Sequence, residues 1–279
     1  MKKRISAFLL ILLTEVYSQP TFAWGKRGHE MIGQIAYNLL DEPTRQLVKK
    51  YLGNISFPEA ANWMDDERSN SYYNYMRTWH YIDFDKGTTY IPSTDRNILT
   101  ILHSAIVDLR LWKTTKRKDV KRDILLIFHL VGDLHQPLHT GYSYDRGGND
   151  VQINSNAVSG NLHSVWDTQI IDYMNVTIDT CMTLYKTLDP ATVKEIEKID
   201  ELNWMYQSRS FLDTVYSFNN TNKNNHLDQQ YITMSSKIIK MQLVRAGIRL
   251  ASILRTCLKK DGPVEAYKQY QLMMRILLS

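Results

Sequence analysis

Two copies of the pattern His-x-x-x-Asp concentrate metal-binding side chains in one part of the chain. They run from His129 to Asp133 and from His163 to Asp167, and His139 lies between them. On a helix, residues four apart lie on one face, about 5–6 Å apart at Cβ, so each pair can bind one cation. Imidazole combined with carboxylate suits zinc. One buried histidine near one aspartate is usually only a satisfied hydrogen bond, but this cluster predicts a metal site.

The elements that must position these pairs are predicted to be helices, because apolar residues recur at helical spacing along most of the chain. The fold class we predict is all-α, in a single mainly helical domain with long loops around the metal site. Helices are predicted over residues 29–40, 44–51, 59–66, 96–112, 123–135, 162–174, 180–187, 191–217 and 228–258. Thr94 and Asp95 are predicted to cap the fourth of these helices.

The connecting segments carry further expectations. Residues 71–85, SYYNYMRTWHYIDFD, are rich in aromatic side chains and are predicted to be extended or loop-like. Residues 113–122 are basic, and a solvated turn is a simpler interpretation than a phosphate-binding patch. Residues 139–161 form a long loop with an apolar alternation at Val151–Ile153 that suggests a small hairpin. A loop of this length in a helical protein is usually functional.

The composition predicts one substantial core, and the first 23 residues predict export. The chain has 279 residues, of which 43% are hydrophobic and 11% aromatic. It begins with a basic stretch and a short apolar run, and residues 21–23 end in the small side chain of Ala23. Residues 1–23 are therefore predicted to be a signal peptide cleaved between Ala23 and Trp24, which makes the mature protein secreted or periplasmic. The apolar run is too short for a permanent membrane anchor, so we expect no stable membrane association.

The net charge bears on which partners the protein can bind, and the two cysteines bear on whether it carries a disulfide. Loss of the signal lowers the formal net charge from +5 to +3, which is compatible with a polyanionic partner without establishing one. The two cysteines are Cys181 and Cys257, and neither has a cysteine or histidine neighbour at metal-binding spacing. In an oxidising compartment one disulfide between them is expected, and two free buried thiols are the alternative.

A series of short motifs follows along the predicted mature chain. They are Trp24 at the predicted new amino terminus, Gly-His29, Ala-x-Trp-x-Asp65, Trp-His80-Tyr-Ile-Asp, His129-x-x-Gly-Asp133-x-x-Gln-Pro-Leu-His139, Gly147-Gly148-Asn149 and Asn161-Leu-His163-Ser-x-Trp-Asp167. In this order they resemble the type I nucleases, the zinc-dependent single-strand nucleases that include the fungal nucleases S1 and P1, plant bifunctional nucleases and bacterial relatives. The resemblance covers the chain from Trp24 to about Leu258.

This resemblance implies a site of three zinc ions (Zn2+) in a fold of the zinc-dependent phospholipase C and P1 nuclease type. The implied ligands are the amine and carbonyl oxygen of Trp24 with His29 and Asp133 for one ion, Asp65, His80, His129 and the other oxygen of Asp133 for the second, and His139, His163 and Asp167 for the third. It also implies an arginine one helical turn after the first aspartate, and Arg68 stands there. The remaining histidines, at positions 103, 135 and 226, match no ligand.

The ligand types themselves suggest a hydrolytic mechanism. Two zinc ions that share Asp133 would lie about 3.5–4 Å apart and could hold a hydroxide at neutral pH. That hydroxide would attack a phosphodiester in line, while Arg68 stabilises the equatorial phosphate oxygens and the third zinc accepts the charge of the departing 3′-oxygen. Asp65, Arg68 and Asp133 are thus the catalytic candidates. We expect products with a 5′-phosphate, and removal of a terminal 3′-phosphate by the same geometry.

A preference for single strands requires side chains on which unpaired bases can stack. The candidates are Tyr72, Tyr73, Tyr75, Tyr142 and Tyr144. Stacking on an aromatic ring is worth about 1–3 kcal/mol for any base. For any one of these tyrosines, simple coverage of the surface is the simpler interpretation. Asn149 is a further candidate to contact a phosphate or a base edge, although it could equally serve only its turn.

Two other functions fit these residues less well. A zinc-dependent phospholipase C also begins with a coordinating tryptophan, but that family ends its ligand series with His-x-x-x-Glu after a shorter gap, whereas this chain has Asp167. A catalytically silent zinc- or nucleic-acid-binding protein would not require an open metal site with Arg68 beside it. The expected function is therefore a secreted endonuclease and 3′-nucleotidase, a monomer that acts on single-stranded RNA and DNA and on 3′-nucleotides.

Overall fold

The computed structural model of the chain describes residues 24–221 and 224–259, so the predicted signal peptide lies outside the described residues. Helices dominate these residues, which confirms the predicted all-α class. The α-helices are α1 (Lys26–Leu39), α2 (Glu42–Leu52), α3 (Phe57–Asp66), α4 (Ile98–Leu109), α5 (Arg117–Leu134), α6 (Leu162–Ser164), α7 (Ile170–Tyr173), α8 (Ile178–Thr187), α9 (Pro190–Ile196), α10 (Glu201–Arg209), α11 (Leu212–Val215) and α12 (Gln229–Cys257). Helices of 3-10 type cover Glu67–Ser69, Ser71–His80, Pro137–Thr140 and Ser143–Asp145, and a π-helical turn covers Val165–Gln169.

Helices α5 and α12 form the centre of the fold. Every residue of α5 from Asp123 to Leu134 is buried, and this helix packs against α3 and α4 on one side and α12 on another. Helix α12 spans 29 residues and also packs against α1 and α8. A helix that is buried on all sides must carry apolar residues around its whole surface, as the consecutive residues Leu125, Leu126 and Ile127 do. The first His-x-x-x-Asp pair therefore lies in the middle of the protein.

Side-chain caps set the helix starts near the site. Ser56 and Glu59 form a capping box at the start of α3, where Pro58 fits the first turn. Helix α4 begins later than predicted, because Asn97 and Thr100 form its capping box. The prediction that residues 94–95 cap this helix is therefore wrong.

Three other segments differ from the sequence-based expectation. The basic segment 113–122 is a turn only at its start, because α5 begins at Arg117. Val120, within this segment, is buried in the core. The predicted helix over residues 191–217 is divided into α9, α10 and α11, since Asp200 caps a new helix by accepting from the Asn203 amide. Residues 71–80 are coiled into a 3-10 helix rather than extended.

The predicted hairpin in the long loop is present and belongs to a small sheet. Strands β1 (Gln152–Asn154) and β2 (Ser159–Asn161) are antiparallel, with Ile153 opposite Gly160. The sheet continues through β4 (Asn224–His226), parallel to β1, to β3 (Asn219–Thr221), in the order β2-β1-β4-β3. The second hairpin was not predicted, because its asparagine-rich strands lack the apolar alternation that marks a strand.

The cysteines do not form the expected disulfide. Cys181 on α8 and Cys257 on α12 are both buried free thiols, which was the alternative interpretation. The Cys257 thiol lies 3.8 Å from the carbonyl oxygen of Ile106 on α4. Burial raises the pKa of the Cys181 thiol to about 12, so this thiol stays protonated. In the part of the chain that the structure describes, no helix is long and apolar enough to cross a membrane.

Candidate metal centre

The first group of predicted ligands surrounds the carboxylate of Asp133, and we call His29, Asp65, His80, His129 and Asp133 the Asp133 cluster. The two carboxylate oxygens face different partners. Oδ1 lies 3.2 Å from His29 Nε2, whereas Oδ2 lies 3.2 Å from His129 Nε2 and 3.0 Å from His80 Nδ1. A carboxylate whose oxygens point to two separate sets of imidazoles has the arrangement that the predicted bridge between two metal ions requires.

His29 reaches this cluster because α1 and α5 approach each other at a glycine. A Cβ atom on Gly132 would lie 2.7 Å from His29 Nδ1, a distance that no side chain tolerates. The glycine immediately before Asp133 therefore makes room for the imidazole that faces the Asp133 carboxylate. The rings of His29 and His129 stack with centroids 4.2 Å apart, so their separation is fixed by packing.

Asp65 completes the Asp133 cluster from the end of α3. Its Oδ1 lies 3.8 Å from His129 Nε2 and 3.9 Å from His80 Nδ1. The same oxygen lies 2.9 Å from Nε of Arg68, which follows one turn later. The Arg68 side chain is 24% exposed, so its guanidinium belongs to the site and also reaches solvent.

The second group consists of His139, His163 and Asp167, which we call the Asp167 cluster. His163 Nε2 lies 3.1 Å from His139 Nε2 and 3.3 Å from Asp167 Oδ2. The first ligand sits on the 3-10 helix after α5, and the other two sit on α6 and the π-helical turn that follows it. A single π-helical turn inside a helix often marks a functional site, and here it carries a predicted ligand.

Backbone carbonyls fix the tautomers of three imidazoles. The Nδ1 atoms of His129, His139 and His163 each lie 2.7 Å from a carbonyl oxygen, belonging to Ala61, His80 and Gly147 respectively. A carbonyl oxygen only accepts, so each Nδ1 carries the proton and each Nε2 presents a lone pair. The Nε2 atoms of His139 and His163 therefore direct lone pairs toward each other.

These buried ligand atoms have too few hydrogen-bond donors, and a bound cation would supply the positive charge that they lack. Among the described residues, Asp65 Oδ2, Asp133 Oδ1 and Asp167 Oδ2 are buried carboxylate oxygens without a hydrogen-bond partner. Buried acceptors that face one another are costly unless a positive charge lies between them. Ligand atoms about 2.0–2.1 Å from a tetrahedral zinc lie about 3.3 Å from one another. The separations of 3.0–3.3 Å match that geometry, so the residues fit zinc.

Three triads of ligand atoms each lie close enough to bind one ion. The atoms of each triad are within 4.8 Å of one another. The triads are His29, His129 and Asp133, then Asp65, His80 and His129, and finally His139, His163 and Asp167. All of these residues are buried, so a metal ion would exchange most of its hydration for protein ligands.

Burial keeps most of these imidazoles in the neutral form that binds metal. It lowers the pKa of His29 and of His80, and it lowers the pKa of His139 to about 3 and that of His163 to about 4. Burial also raises the pKa of Asp167 well above its ordinary value. Because a carboxylate must be deprotonated to bind metal, the raised pKa of Asp167 makes cation binding at the Asp167 cluster more dependent on pH.

The turn that carries Gly147 is held by a buried carboxylate that the sequence did not suggest. Asp145 accepts from the amide of Gly148 at 3.0 Å and from the hydroxyl of Tyr216 at 2.8 Å. Gly147 has φ of 60°, a conformation that favours glycine. Its carbonyl oxygen accepts the hydrogen bond from His163 Nδ1. Asp145 and Tyr216 are 71 residues apart and follow no common pattern, so only the fold reveals their pairing.

A second unpredicted network holds the end of α5. Ser208 Oγ donates to the carbonyl of Leu134 at 2.6 Å, and Gln242 Nε2 donates to that of His135 at 2.8 Å. Arg249 Nη1 donates to His135 Nε2 at 2.6 Å, and burial together with this cation holds the pKa of His135 well below its ordinary value. His135 is thus a neutral structural residue, as its absence from the ligand pattern predicts.

Gln136, the next residue, joins this helix end to the Asp167 cluster. Its Nε2 donates to Asp167 Oδ1 at 2.5 Å, and its Oε1 accepts from the amide of Leu138. The glutamine is fully buried. The bond leaves Asp167 Oδ2, the oxygen nearest His163, as the atom available to a metal ion. Gln136 lies within the motif that runs from His129 to His139, and its position before proline is the only sequence signal of this role.

The remaining predicted site residues lie around these clusters. Trp24 is buried at the start of α1, and the amide of the next residue, Gly25, donates to the carbonyl of Asp167 at 2.9 Å. Asn149 Nδ2 lies 3.4 Å from His163 Nδ1, and its Oδ1 is a buried acceptor without a partner among the described residues. Of the tyrosines, Tyr72 and Tyr144 are exposed, whereas Tyr142 is buried and stacks on Tyr144 with ring centroids 5.3 Å apart.

Comparisons with known proteins agree with this geometry. The sequence model described as S1/P1 Nuclease matches residues 24–259. Endonuclease 2 of Arabidopsis thaliana is 25% identical over 287 residues, which cover 88% of this chain and 94% of that protein. Nuclease S1 of Aspergillus oryzae is 27% identical over 169 residues, or 56% of this chain and 58% of that protein. Nuclease P1 of Penicillium citrinum is 26% identical over 159 residues. Since the family match spans most of the sequence, the chain belongs to the S1/P1 nuclease family.

Proposed function

We propose that this nuclease is a zinc-dependent endonuclease that hydrolyses phosphodiester bonds of single-stranded RNA and DNA and leaves 5′-phosphates. The observation that carries the proposal is the set of buried, unpartnered ligand atoms around Asp133, with the guanidinium of Arg68 beside them. A fixed guanidinium next to a cation site is suited to bind a phosphate, because it presents several donors in one plane. The names of the relatives, Nuclease S1 and Endonuclease 2, support a nucleic-acid substrate.

The residues of the chain have distinct proposed roles. Zinc bound at these clusters supplies Lewis acidity, which lowers the pKa of water to about 7 and stabilises charge on phosphoryl oxygens. Asp133 links the two halves of its cluster through its separate oxygens, and Asp65 orients Arg68 through their 2.9 Å contact. Arg68 then binds the equatorial oxygens of the phosphate. The chain provides no nucleophile of its own in this scheme.

The count of three zinc ions is part of the proposal and is supported by the separate partners of the two Asp133 oxygens and by the Asp167 cluster. His129 presents one lone pair, so it could bind only one of the two ions whose triads include it. The Asp167 cluster would hold the third ion, which would supply positive charge to stabilise a departing 3′-oxygen. The same position would accept a terminal 3′-phosphate, which is the basis for the proposed 3′-nucleotidase activity. Asn149, whose Oδ1 is a buried acceptor next to His163, is proposed to contact the substrate there.

The amino terminus is proposed to complete the site after export. A peptide nitrogen is a poor metal ligand because its lone pair is delocalised, whereas a free amine has a pKa of about 8 and binds a cation readily. Cleavage between Ala23 and Trp24 would therefore activate a secreted or periplasmic enzyme. A mature protein with one extra residue before Trp24 should bind one zinc ion more weakly than the correctly cleaved form. Equal zinc affinity and equal rates would show that the amine is not a ligand.

The function itself is tested with four substrates, each incubated with and without chelator. Single-stranded RNA and single-stranded DNA should be cut to 5′-phosphate products, duplex DNA should be cut far more slowly, and phosphatidylcholine should be left intact. Added zinc should restore the chelated enzyme. Cleavage of phosphatidylcholine alone would identify a phospholipase, and activity that persists in chelator would exclude the metal mechanism. We also expect a monomer in solution, which light scattering would measure.

A further inference from the structure

We propose that the exposed rings of Tyr72 and Tyr75 form an outer base-binding subsite, at which single-stranded nucleic acid stacks beyond the nucleotides that flank the cleaved bond. This inference deepens the proposed function and rests on it. The two tyrosines are 74% and 51% exposed and are among the most exposed large apolar side chains of the described residues. Both lie on the 3-10 helix Ser71–His80, which joins the predicted ligand Asp65, through Arg68, to the predicted ligand His80.

The geometry of a 3-10 helix aligns the two rings. Residues three apart in such a helix eclipse each other and are separated by about 6 Å along the axis. Tyr72 and Tyr75 are three apart, so their side chains leave the backbone on the same side. An extended single strand advances by a similar distance per nucleotide, so successive unstacked bases can each meet one ring. An α-helix would rotate the second ring away by about 60°.

Other aromatic residues brace the two exposed rings. Tyr73 meets Tyr72 edge to face at 5.0 Å and itself packs against Trp63 at 5.4 Å. Tyr75 meets Trp79 at 5.2 Å. A ring that is already held in place loses little conformational freedom when a base stacks on it, so more of the stacking energy appears as affinity. Together these residues form a continuous aromatic ridge of Trp63, Tyr72, Tyr73, Tyr75 and Trp79.

Continuity with the metal centre identifies the occupant. Arg68 lies in the chain between Trp63 and Tyr72 of the ridge, and Trp79 immediately precedes His80. The guanidinium of Arg96 lies 5.7 Å from the centre of the Trp79 ring, and Arg77 is exposed on the same 3-10 helix. Aromatic faces that alternate with guanidinium groups are what proteins use to bind single strands without regard to sequence. A strand whose phosphate contacts Arg68 can therefore continue along the ridge.

Simple surface coverage is the competing explanation, and it accounts poorly for these contacts. Tyr173 is also 50% exposed, but within the described part of the chain it makes no ring contact and instead donates to Gln229 on α12. Isolated tyrosines of that kind suit a plain surface. Five aromatic rings joined by successive contacts beside a predicted phosphate site do not arise from coverage alone; Tyr73 and Tyr75, whose ring centroids are 6.3 Å apart, connect the two halves of the series. Exposed apolar patches usually mark binding sites.

The test compares a substrate that is too short to reach the ridge with one that is long enough. The zinc-loaded mature enzyme is assayed for KM and kcat on thymidylyl-thymidine and on decathymidylate. The variants are Tyr72→Ala/Tyr75→Ala, the conservative Tyr72→Phe/Tyr75→Phe, which keeps both rings, and Tyr173→Ala as a control of similar exposure. Zinc content and thermal unfolding are measured for each variant.

We expect the double alanine variant to raise KM for decathymidylate about thirtyfold or more, because two stacking contacts are lost, and to leave KM for the dinucleotide unchanged. The phenylalanine variant and Tyr173→Ala should match the unaltered enzyme on both substrates. An equal KM for decathymidylate in the alanine variant would overturn the subsite while leaving the nuclease function intact. An equal loss on both substrates would also overturn it, because the rings would then act at the central site. Failure of the unaltered enzyme to cut either substrate would overturn the proposed function and the subsite together.

Discussion

The Asp133 cluster and the Asp167 cluster differ in how the fold positions their residues. The Asp133 cluster draws its residues mainly from α1, α3 and α5, helices that pack tightly in the centre of the protein. The Asp167 cluster draws its residues from a 3-10 helix, the short α6 and a π-helical turn. Contacts between helices hold the first cluster, whereas individual hydrogen bonds to Gly147, His80 and Gln136 hold the second.

This difference determines which mutations each cluster tolerates. A helix packed along its length has many redundant contacts, so a single change outside the cluster leaves its ligands in place. A turn fixed by a few hydrogen bonds loses a large part of its support when one bond is removed. We therefore expect the Asp133 cluster to respond mainly to changes in its own ligands. The Asp167 cluster should also respond to changes in residues that never touch the metal.

The largest expected effect comes from Asp133→Asn. The change removes the shared charge, so the protein should lose both metal ions of the Asp133 cluster and keep the ion of the Asp167 cluster. Turnover should fall by at least about a thousandfold, since bound zinc is what lowers the pKa of water from about 16 to about 7. Zinc content by atomic emission and the cleavage rate of single-stranded RNA would measure the two effects.

Asp123→Asn is the matched control for that change. Asp123 is also a buried aspartate of α5, but it pairs with Arg122 rather than with an imidazole. Its substitution should leave zinc content at the wild-type level. If the Asp133 variant retained three zinc ions, or lost the ion of the other cluster as well, the division into two independently held clusters would be wrong.

The next effect in size comes from Gln136→Met, which removes the bonds to Asp167 Oδ1 and to the Leu138 amide without shortening the side chain. Asp167 then has a second free oxygen and a less defined orientation. The affinity for one zinc ion should fall about 10–100-fold, as is typical when the partner of a metal ligand is lost. Competition with a chelating dye would resolve this ion from the other two. Equal weakening of all three ions would contradict the separation of the clusters.

Sequence patterns indicate the helices that hold the Asp133 cluster, but they do not indicate the hydrogen bonds that hold the Asp167 cluster. Helical periodicity places His129 and Asp133 on one face, and buried apolar residues around them fix the helix that carries both. The π-helical turn at residues 165–169 and the pairing of Asp145 with Tyr216 depend on contacts between distant segments, which no local pattern encodes. The motifs predicted the family, and the fold class followed from periodicity, but the helix breaks near Asp200 required knowledge of tertiary contacts.

A smaller effect is expected from Tyr216→Phe, which acts on the Asp167 cluster from a greater distance. The hydroxyl donates to Asp145, whose other oxygen holds the Gly147 turn. Its removal should lower the free energy of unfolding by about 1 kcal/mol. It should weaken the same zinc ion as Gln136→Met, but less, because the turn keeps its bond to Asp145 Oδ1. Chemical denaturation and the dye competition would measure both, and a larger loss than for Gln136→Met would reverse the proposed order of support.

The smallest effect is expected at an ion pair outside both clusters. His103 Nδ1 on α4 lies 3.4 Å from Glu201 Oε1 on α10. The hydrogen bond to Glu201 raises the pKa of His103 above 6.5. Burial alone would raise the pKa of Glu201, but the hydrogen bond from His103 holds that pKa below 4.5. A raised histidine pKa contributes stability that is complete below pH 6.5 and disappears as the pH rises through the raised value. A lowered glutamate pKa contributes stability above pH 4.5 that disappears as the pH falls.

The pair should therefore stabilise the protein most between about pH 4.5 and 6.5 and lose that contribution above neutrality. At pH 6, His103→Gln should lower Tm slightly. The loss in the free energy of unfolding should be less than about 1 kcal/mol, because the imidazole is half exposed. At pH 9 the variant and the wild type should have the same Tm. Zinc content should not change at either pH, since the pair contacts neither cluster. A Tm difference that grows toward pH 9 would show that the neutral imidazole, rather than the ion pair, stabilises the contact between α4 and α10.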